Sequence, residues 1–538
     1  MSLGMNPRRI NDSLQHSIQR QMPIVSAQQM RDIESRMFEA GMPIAALMEK
    51  VGGLIAARIQ SLFSLAVFPC IGVLVGPGHN GGDALVVARE LCFQGYQVLV
   101  YQPFERCKAL TAAHAQFAKS LLSIPFCTSI EELASCDVLV DGLFGYGLER
   151  SLDGAIATTI HTTNQWAKPT ISIDLPSGIH TDTGEVLGVA VRATHTLCLG
   201  LWKLGLVQDA ALEWIGQAEL IDFDIPWACV KAVLGDLVPI QRLVASQMMQ
   251  QLRLEISPTT HKYKQGHVLL VGGSQKYPGS ILLAGLGARA TGVGMLTIAV
   301  PSSLKPLVVA RLPDAVVIGC AETEHGAIAH LPEDLALGRF DAIAYGPGVT
   351  TESATVLEQV LKCNHPLILD ADGLNLLANL DVTQLQTRTA LTVLTPHSGE
   401  FRRLFPARAE ASPLLAAQQA AQSCAAVIVH KGACTAIAFP TGQLWINTES
   451  TPALARGGSG DVLTGLMGGL MAQAQRQGQS LEGAVQSAVW WHSQAGRWAA
   501  QRYTERGVNA ETLAESLLPF MAESLDLPLG SGDTLRHS

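Results

Sequence analysis

Ile71-Gly72-Val73-Leu74-Val75-Gly76-Pro77-Gly78-His79-Asn80-Gly81-Gly82-Asp83 decides the fold of the first half of this chain. An apolar run of strand character passes directly into a glycine loop, and the loop opens an amphipathic run from Ala84 to Gln94. The order is strand, loop, helix. Backbone N–H groups at such a helix start can hold an anion, because glycines let a ligand approach the main chain closely. Gly76, Gly78 and Gly81 satisfy G-x-G-x-x-G, yet the next strand ends at Val100-Tyr101-Gln102-Pro103 without an acid for an adenine ribose. An ordinary dinucleotide dehydrogenase is therefore disfavoured. Taken alone, the glycines are also compatible with a plain tight turn, the lesser alternative.

Working outward, runs rich in Val, Ile and Leu recur along the chain, each ending in a polar or glycine-rich loop. Tyr96–Val100, Asp137–Asp141 and Thr170–Asp174 belong to the first half; His267–Val271, Phe340–Ala344, Pro366–Asp370, Leu391–Leu394 and Ala426–Val429 belong to the second. Such runs are buried parallel strands, so the fold class is α/β with two doubly wound domains. Ile225 to Pro258 contains no glycine-rich strand-end loop, which places the junction near residues 230–245. The expected organisation is a flexible tail at 1–21, domains at 22–235 and 245–520, and a C-terminal tail at 521–538. Chemistry in open α/β sheets gathers at the carboxyl ends of the strands.

A chain of 538 residues, 48% hydrophobic and 15% charged, has apolar material for two cores. Its formal charge of −9, without a long basic run, excludes the electrostatics of nucleic-acid binding. Leu62 to Val75 is interrupted by Pro69 and Gly72 and falls short of the roughly 20 apolar residues that span a bilayer. Residues 1–21 carry Arg8, Arg9 and Arg20 but no apolar centre, unlike a secretory signal. The 11 cysteines occur singly, without zinc-site spacing, which fits reduced thiols in the cytoplasm.

Two strand ends in the first half carry acids. Asp141 precedes Gly142-Leu143-Phe144-Gly145-Tyr146-Gly147, and Asp174 precedes Leu175-Pro176-Ser177-Gly178. One such carboxylate serves equally well as a helix cap, but three polar loops at neighbouring strand ends suggest a shared pocket. Asn80, Asp141 and Ser177 supply only oxygen, which suits a hard cation. With these segments in this order, and a leading helix pair at Met30 to Met48, residues 22 to about 230 resemble the NAD(P)H-hydrate epimerase family, also called the YjeF N-terminal domain. The resemblance implies a Rossmann-like domain whose hydrate pocket is lined by His79, Asn80, Gly81, Gly82, Asp83, Gly145, Tyr146, Gly147, Leu148, Glu149, Arg150, Ser151 and Asp174. It also implies potassium on Asn80, Asp141 and Ser177, with Asp174 as proton-transfer base. His79 stands where the family commonly has Asn, and Ala84 where it has Gly. Lys203 stands where the family tends to carry lysine; a surface lysine laid along apolar neighbours is the equal alternative.

The second half is marked by Arg456-Gly457-Gly458-Ser459-Gly460-Asp461-Val462-Leu463-Thr464-Gly465. A glycine loop entering a helix, with Asp461 in the first turn, can stabilise a transferring phosphoryl group while the carboxylate takes a proton from an acceptor hydroxyl. A capping aspartate is the plainer alternative. No G-x-x-x-x-G-K-[ST] element occurs, so a P-loop kinase is excluded. Gly272-Gly273-Ser274, Tyr277-Pro278-Gly279, Gly346-Pro347-Gly348, Leu369 to Asn375, Leu394 to Glu400, Lys431-Gly432-Ala433 and Gly457 to Asp461 follow one another as in the ADP- or ATP-dependent NAD(P)H-hydrate dehydratases. These enzymes are ribokinase-like, and the resemblance covers about residues 245–520. It implies that Gly348, His397 and Asp461 bind the hydrate and that Lys431, Gly432, Ala433, Cys434, Thr435 and Gly460 bind the nucleotide, with Mg2+ on its phosphates. Ser398, Ser459 and Arg456 replace the usual Pro, Thr and Thr.

Together the resemblances imply repair of hydrated NADH and NADPH (NADHX and NADPHX). The first half would epimerise the R and S forms, and the second would dehydrate the S form with ADP or ATP. The expected assembly is a cytoplasmic homo-oligomer with no nucleic-acid or membrane partner. A small-molecule kinase with an unrelated appended domain is one rival, and a non-catalytic nucleotide sensor another. The presence of both Asp174 and Asp461 speaks against the sensor.

Overall fold

A computed structural model describes residues 22–120, 122–252, 256–408 and 412–526, so the expected tail at 1–21 lies outside the described residues. The chain divides into two compact units that part between Ile240 and Gln241.

The first unit contains β1 (Ile24–Val25), β2 (Cys70–Val75), β3 (Gln97–Tyr101), β4 (Phe126–Cys127), β5 (Val138–Gly142), β6 (Thr170–Ile173), β7 (His195–Leu199), β8 (Trp202–Lys203) and β9 (Gln217–Ile221). Seven strands form a sheet in the order β4-β3-β2-β5-β6-β7-β9, every neighbouring pair parallel, while β1 and β8 pair separately. Strand order reverses direction between β2 and β5, and their register, Ile71 with Val138 through Val75 with Gly142, sets the two carboxyl ends side by side. That is the position at which a doubly wound sheet opens a crevice. A Cβ on Gly76 would stand 1.7 Å from the Leu143 carbonyl oxygen, so only glycine lets the two loops meet.

The helix that follows begins earlier than the amphipathic pattern predicts. It spans His79–Phe93, which puts His79, Asn80, Gly81 and Gly82 in the first turn rather than in a preceding loop. The Gly82 N–H already donates to the Gly78 carbonyl, so the helical ladder starts at the glycines. Apolar periodicity cannot register this turn because its residues are polar or small.

The second unit contains β10 (Ile240–Arg242), β11 (His267–Val271), β12 (Met295–Pro301), β13 (Val316–Glu322), β14 (Ile328–His330), β15 (Ala342–Tyr345), β16 (Leu367–Leu369), β17 (Thr392–Leu394), β18 (Val427–His430), β19 (Thr435–Ala438) and β20 (Leu444–Asn447). Their order is β10-β20-β19-β18-β17-β16-β15-β11-β12-β13-β14. β11 pairs in parallel with both β12 and β15, making this the switch point, while β18, β19 and β20 form antiparallel hairpins. Helices Pro278–Ala290 and Ser459–Gln477 cross very closely: a Cβ on Gly465 would meet the Ala284 carbonyl oxygen at 1.7 Å. The small residues of both helices thus serve packing. Helix Ala510–Asp526 continues past residue 520, where a tail was expected, because Leu517, Phe520 and Met521 are buried.

Among the described residues no helix is long and apolar enough to cross a membrane. All eleven cysteines are free.

Candidate active sites

In the first unit a cavity of about 590 Å³ is bordered by the loops after β2, β5 and β6. His79, Asn80, Asp83, Gly145, Tyr146, Gly147, Leu148 and Asp174 line it, together with Arg31, Glu34, Lys108 and Lys203. Gly81 and Gly82 lie buried within the helix turn. Glu149, Arg150 and Ser151 are exposed and do not line the cavity. The chain reverses at Gly147 (φ +93°) and is tied by a hydrogen bond from Leu152 N to Leu187 O in the segment between β6 and β7, which carries those three side chains away.

Asp174 sits at φ +69°, a left-handed conformation that costs a non-glycine residue about 1–2 kcal/mol. Its carboxylate repays the strain with three contacts. Oδ2 accepts from Tyr146 N at 3.0 Å, and Oδ1 accepts from Lys203 Nζ at 2.6 Å and Leu199 N at 3.3 Å. Lys203 is completely buried, which overturns the surface-lysine alternative. Burial works against its charge, but Asp174 and Cys198 outweigh burial and hold the ammonium above its ordinary range. Asp83 is pushed well above the usual carboxylate range by burial, with Asp174 and Glu34 adding to the effect. Glu34, which no strand-end motif signals, reaches the cavity from helix Ala27–Glu39 and accepts a hydrogen bond from the Tyr146 hydroxyl.

Asp141 and Ser177 meet beside the cavity. Asp141 is buried and accepts from Ser177 Oγ at 2.6 Å, Ser177 N at 2.9 Å, Ser172 Oγ at 2.8 Å and Leu143 N at 3.2 Å. Burial raises its pKa, and only hydrogen bonds oppose that rise. Asn80 has a buried Nδ2 with no partner. Gly145 separates Asn80 from Asp174: a Cβ there would come within 3.1 Å of Asn80 Oδ1 and 3.2 Å of Asp174 Oδ2.

In the second unit Asp461 occupies the first turn of helix Ser459–Gln477, as the sequence predicts. Its carboxyl is pushed up to about 7 by burial and by Asp370, against the pull of the Ser280 hydroxyl and Lys431. Asp370, quoted in the sequence as part of a motif but given no role there, organises the site. It is buried and accepts from Lys431 Nζ at 2.8 Å, Thr395 Oγ1 at 2.7 Å and Thr464 Oγ1 at 2.8 Å. A Cβ on Gly460 would stand 3.2 Å from Lys431 Nζ, so the glycine loop and the β18–β19 hairpin converge. Lys431 N also donates to Pro396 O at 2.9 Å, which brings His397 alongside. Gly348 packs on the loop at Tyr277 and on Ser280, whose hydroxyl bonds Asp461.

The predicted groups take on unequal tasks. The His397 ring caps helix Ser398–Leu404, its Nδ1 accepting from Gly399 N at 2.9 Å, while Glu400 returns the bond to His397 N at 2.9 Å. Thr435 Oγ1 donates within the hairpin to Gly432 O at 3.2 Å, and Cys434 is buried. A second cavity of about 530 Å³, beside Lys362 and Arg388, contains none of the expected residues.

Each of the two doubly wound sheets thus has buried acids held by hydrogen bonds beyond its strand ends. Comparison with known proteins gives the two sites a class. A family described as YjeF-related protein N-terminus matches residues 44–205, and one described as NAD(P)H-hydrate dehydratase matches residues 268–519. The bifunctional NAD(P)H-hydrate repair enzyme Nnr of Thermosynechococcus vestitus is 53% identical over 504 residues, covering 93% of this chain and 98% of that one. The enzyme of the same name from Synechocystis is 53% identical over 497 residues, covering 92% and 94%. A crystal structure of ADP/ATP-dependent NAD(P)H-hydrate dehydratase from Bacillus subtilis, co-crystallised with ATP/Mg2+, is 32% identical with a TM-score of 0.44, covering 51% of this chain and 96% of that one. This chain belongs to the family of bifunctional NAD(P)H-hydrate repair enzymes, with an epimerase and a dehydratase in one polypeptide.

Proposed function

We propose that the first unit interconverts the R and S forms of hydrated NADH and NADPH at Asp174, and that the second dehydrates the S form at Asp461 with ADP or ATP. The observation that carries this reading is the raised Asp461 carboxyl, about 7, in the first turn of a helix that opens on Gly457 and Gly458. A carboxylate with a pKa near the working pH is suited to accept a proton, and the helix start is suited to phosphoryl oxygens.

In the dehydratase, the ring hydroxyl of the S hydrate loses its proton to Asp461 as its oxygen bonds to the terminal phosphorus of the nucleotide. The phosphorus–oxygen bond to AMP (from ADP) or to ADP (from ATP) breaks. The ring nitrogen then expels phosphate, and loss of a proton from the neighbouring carbon restores the dihydronicotinamide. Lys431, with Gly432 to Thr435 and Gly460, supports the nucleotide; His397 and Gly348 border the hydrate. Mg2+ on the phosphates would neutralise their charge during transfer.

In the epimerase, Asp174 accepts the proton and Lys203 keeps that carboxylate in place. Potassium fits the Asn80, Asp141 and Ser177 side chains by their chemistry: each offers oxygen, and among the described residues no cationic side chain acts on the buried Asp141. The ion would neutralise Asp141. A cytoplasmic homo-oligomer is the setting we infer for the whole chain.

An absorbance assay at the dihydronicotinamide band, with mixed hydrate epimers and ADP or ATP in turn, tests this reading. Recovery of the whole pool with at least one nucleotide supports it; no recovery with either contradicts it.

A further inference from the structure

Epimerisation by loss and return of water needs an acid as well as a base, and Asp174 alone supplies only the base. The leaving hydroxyl must be protonated, and the returning water must lose a proton. The cavity contains a second hydrogen-bonded pair that can do the first task. Glu34 accepts from the Tyr146 hydroxyl, and the Tyr146 backbone N–H donates to Asp174 Oδ2 at 3.0 Å. One residue therefore joins a carboxyl from helix Ala27–Glu39 to the carboxylate after β6, and all three line the same cavity.

We propose that Glu34, acting with the Tyr146 hydroxyl, is the general acid of the epimerase, a role that rests on the epimerase reading of this cavity. The Tyr146 hydroxyl gives its proton to the departing hydroxyl and takes one from the protonated Glu34 carboxyl, so the hydrogen bond between them reverses; the carbon–oxygen bond breaks, water leaves, and the ring nitrogen lone pair fills the gap as an iminium. Water then adds to the opposite face and gives its proton to Asp174. A proton returned from Asp174 to Glu34 through cavity water closes the cycle, and no other reactant is needed. The reverse direction uses the same groups.

The surroundings separate the two carboxyls as acid and base. Asp174 has its ion pair with Lys203 at 2.6 Å, whereas among the described residues Glu34 has no cation within salt-bridge distance and accepts its hydrogen bond from a neutral phenol. Burial, the largest influence, raises the Glu34 carboxyl above its ordinary value; the Tyr146 hydrogen bond and Lys203 pull the other way, and Asp174 adds to the rise. Arg31 on the same helix, Lys108 from the loop after β3 and Asp83 from helix His79–Phe93 complete the charges facing it.

The test uses the full chain without nucleotide, following interconversion of separated R and S hydrates by chromatography across a pH series. Glu34→Gln is expected to lower kcat by about 10²-fold or more with a small change in KM, and to remove the alkaline limb of the pH profile. Glu34→Asp should restore part of the rate. Tyr146→Phe, which keeps the ring in place, should lower kcat by about tenfold or more and covers the case in which Glu34→Gln fails to fold. Wild-type kcat in either variant, or a slower Glu34→Gln enzyme that retains the alkaline limb, would overturn the proposal. If Glu34→Gln interconverts the epimers at the wild-type rate and Asp174→Asn does not, only this inference fails. If wild type does not interconvert them, the epimerase reading fails first.

Discussion

Lys203 Nζ lies 2.6 Å from Asp174 Oδ1, and the two side chains are 0% and 4% exposed. A buried ion pair contributes little net stability when whole, but removing one partner leaves a charge without compensation, typically at a cost of about 3–5 kcal/mol. Lys203→Met should therefore destabilise the first unit by that order, read as an earlier urea transition, and should abolish epimerisation. A midpoint equal to wild type would show that Asp174 does not depend on Lys203 for its charge.

Dehydration should depend on pH through Asp461. Its carboxyl is held at about 7, and only the deprotonated form can accept the ring hydroxyl proton. The kcat/KM of the free enzyme for the S hydrate should rise about tenfold per pH unit below that value and level above it. Asp461→Asn should lose dehydration while epimerisation continues. A profile flat across the neutral range would remove Asp461 as the base.

Much of both sites was legible in local sequence because strand ends and glycine loops are local features. Val73 to Asp83 and Gly457 to Asp461 declare a strand or loop entering a helix, and the structure puts Asn80 and Asp461 in first turns. Lys203 and Glu34 were harder to read. Lys203 stands among apolar neighbours that suit a surface lysine stem as well as a buried one, and the partner that decides between them stands 29 residues away. Glu34 lies on a helix that precedes every strand of the seven-stranded sheet, and its partner is 112 residues distant. Asp370 was visible within Leu369 to Asn375, but its bonds to Lys431 and Thr464 arise only when three separate segments fold together.

The Ala84 departure from the family pattern has a packing explanation. A Cβ on Gly142 would stand 2.3 Å from the Ala84 Cβ, so the glycine that ends β5 leaves the room that Ala84 takes. Gly142→Ala should destabilise the unit by about 1–3 kcal/mol through overpacking. Ala84→Gly added to it should recover part of that loss, and a double-mutant cycle in thermal unfolding reads the coupling. Strict additivity would contradict the contact.

Lys431 has a structural as well as a binding task, since its ammonium lies 2.8 Å from Asp370, which is itself buried. Lys431→Ala should weaken ADP binding measured by calorimetry and also lower stability by about 3 kcal/mol. Adding Asp370→Asn should make the combined loss smaller than the sum of the two single losses. Unchanged nucleotide affinity in Lys431→Ala would place the nucleotide elsewhere.

The most direct test of two coupled activities in one chain is the time course of mixed hydrate epimers with nucleotide in excess. Wild type should convert the whole pool without a pause. Asp174→Asn should consume the S fraction at the wild-type rate and then slow to spontaneous epimerisation, because Asp461 and the nucleotide loops are untouched. Consumption of both epimers at the wild-type rate by Asp174→Asn would contradict the account.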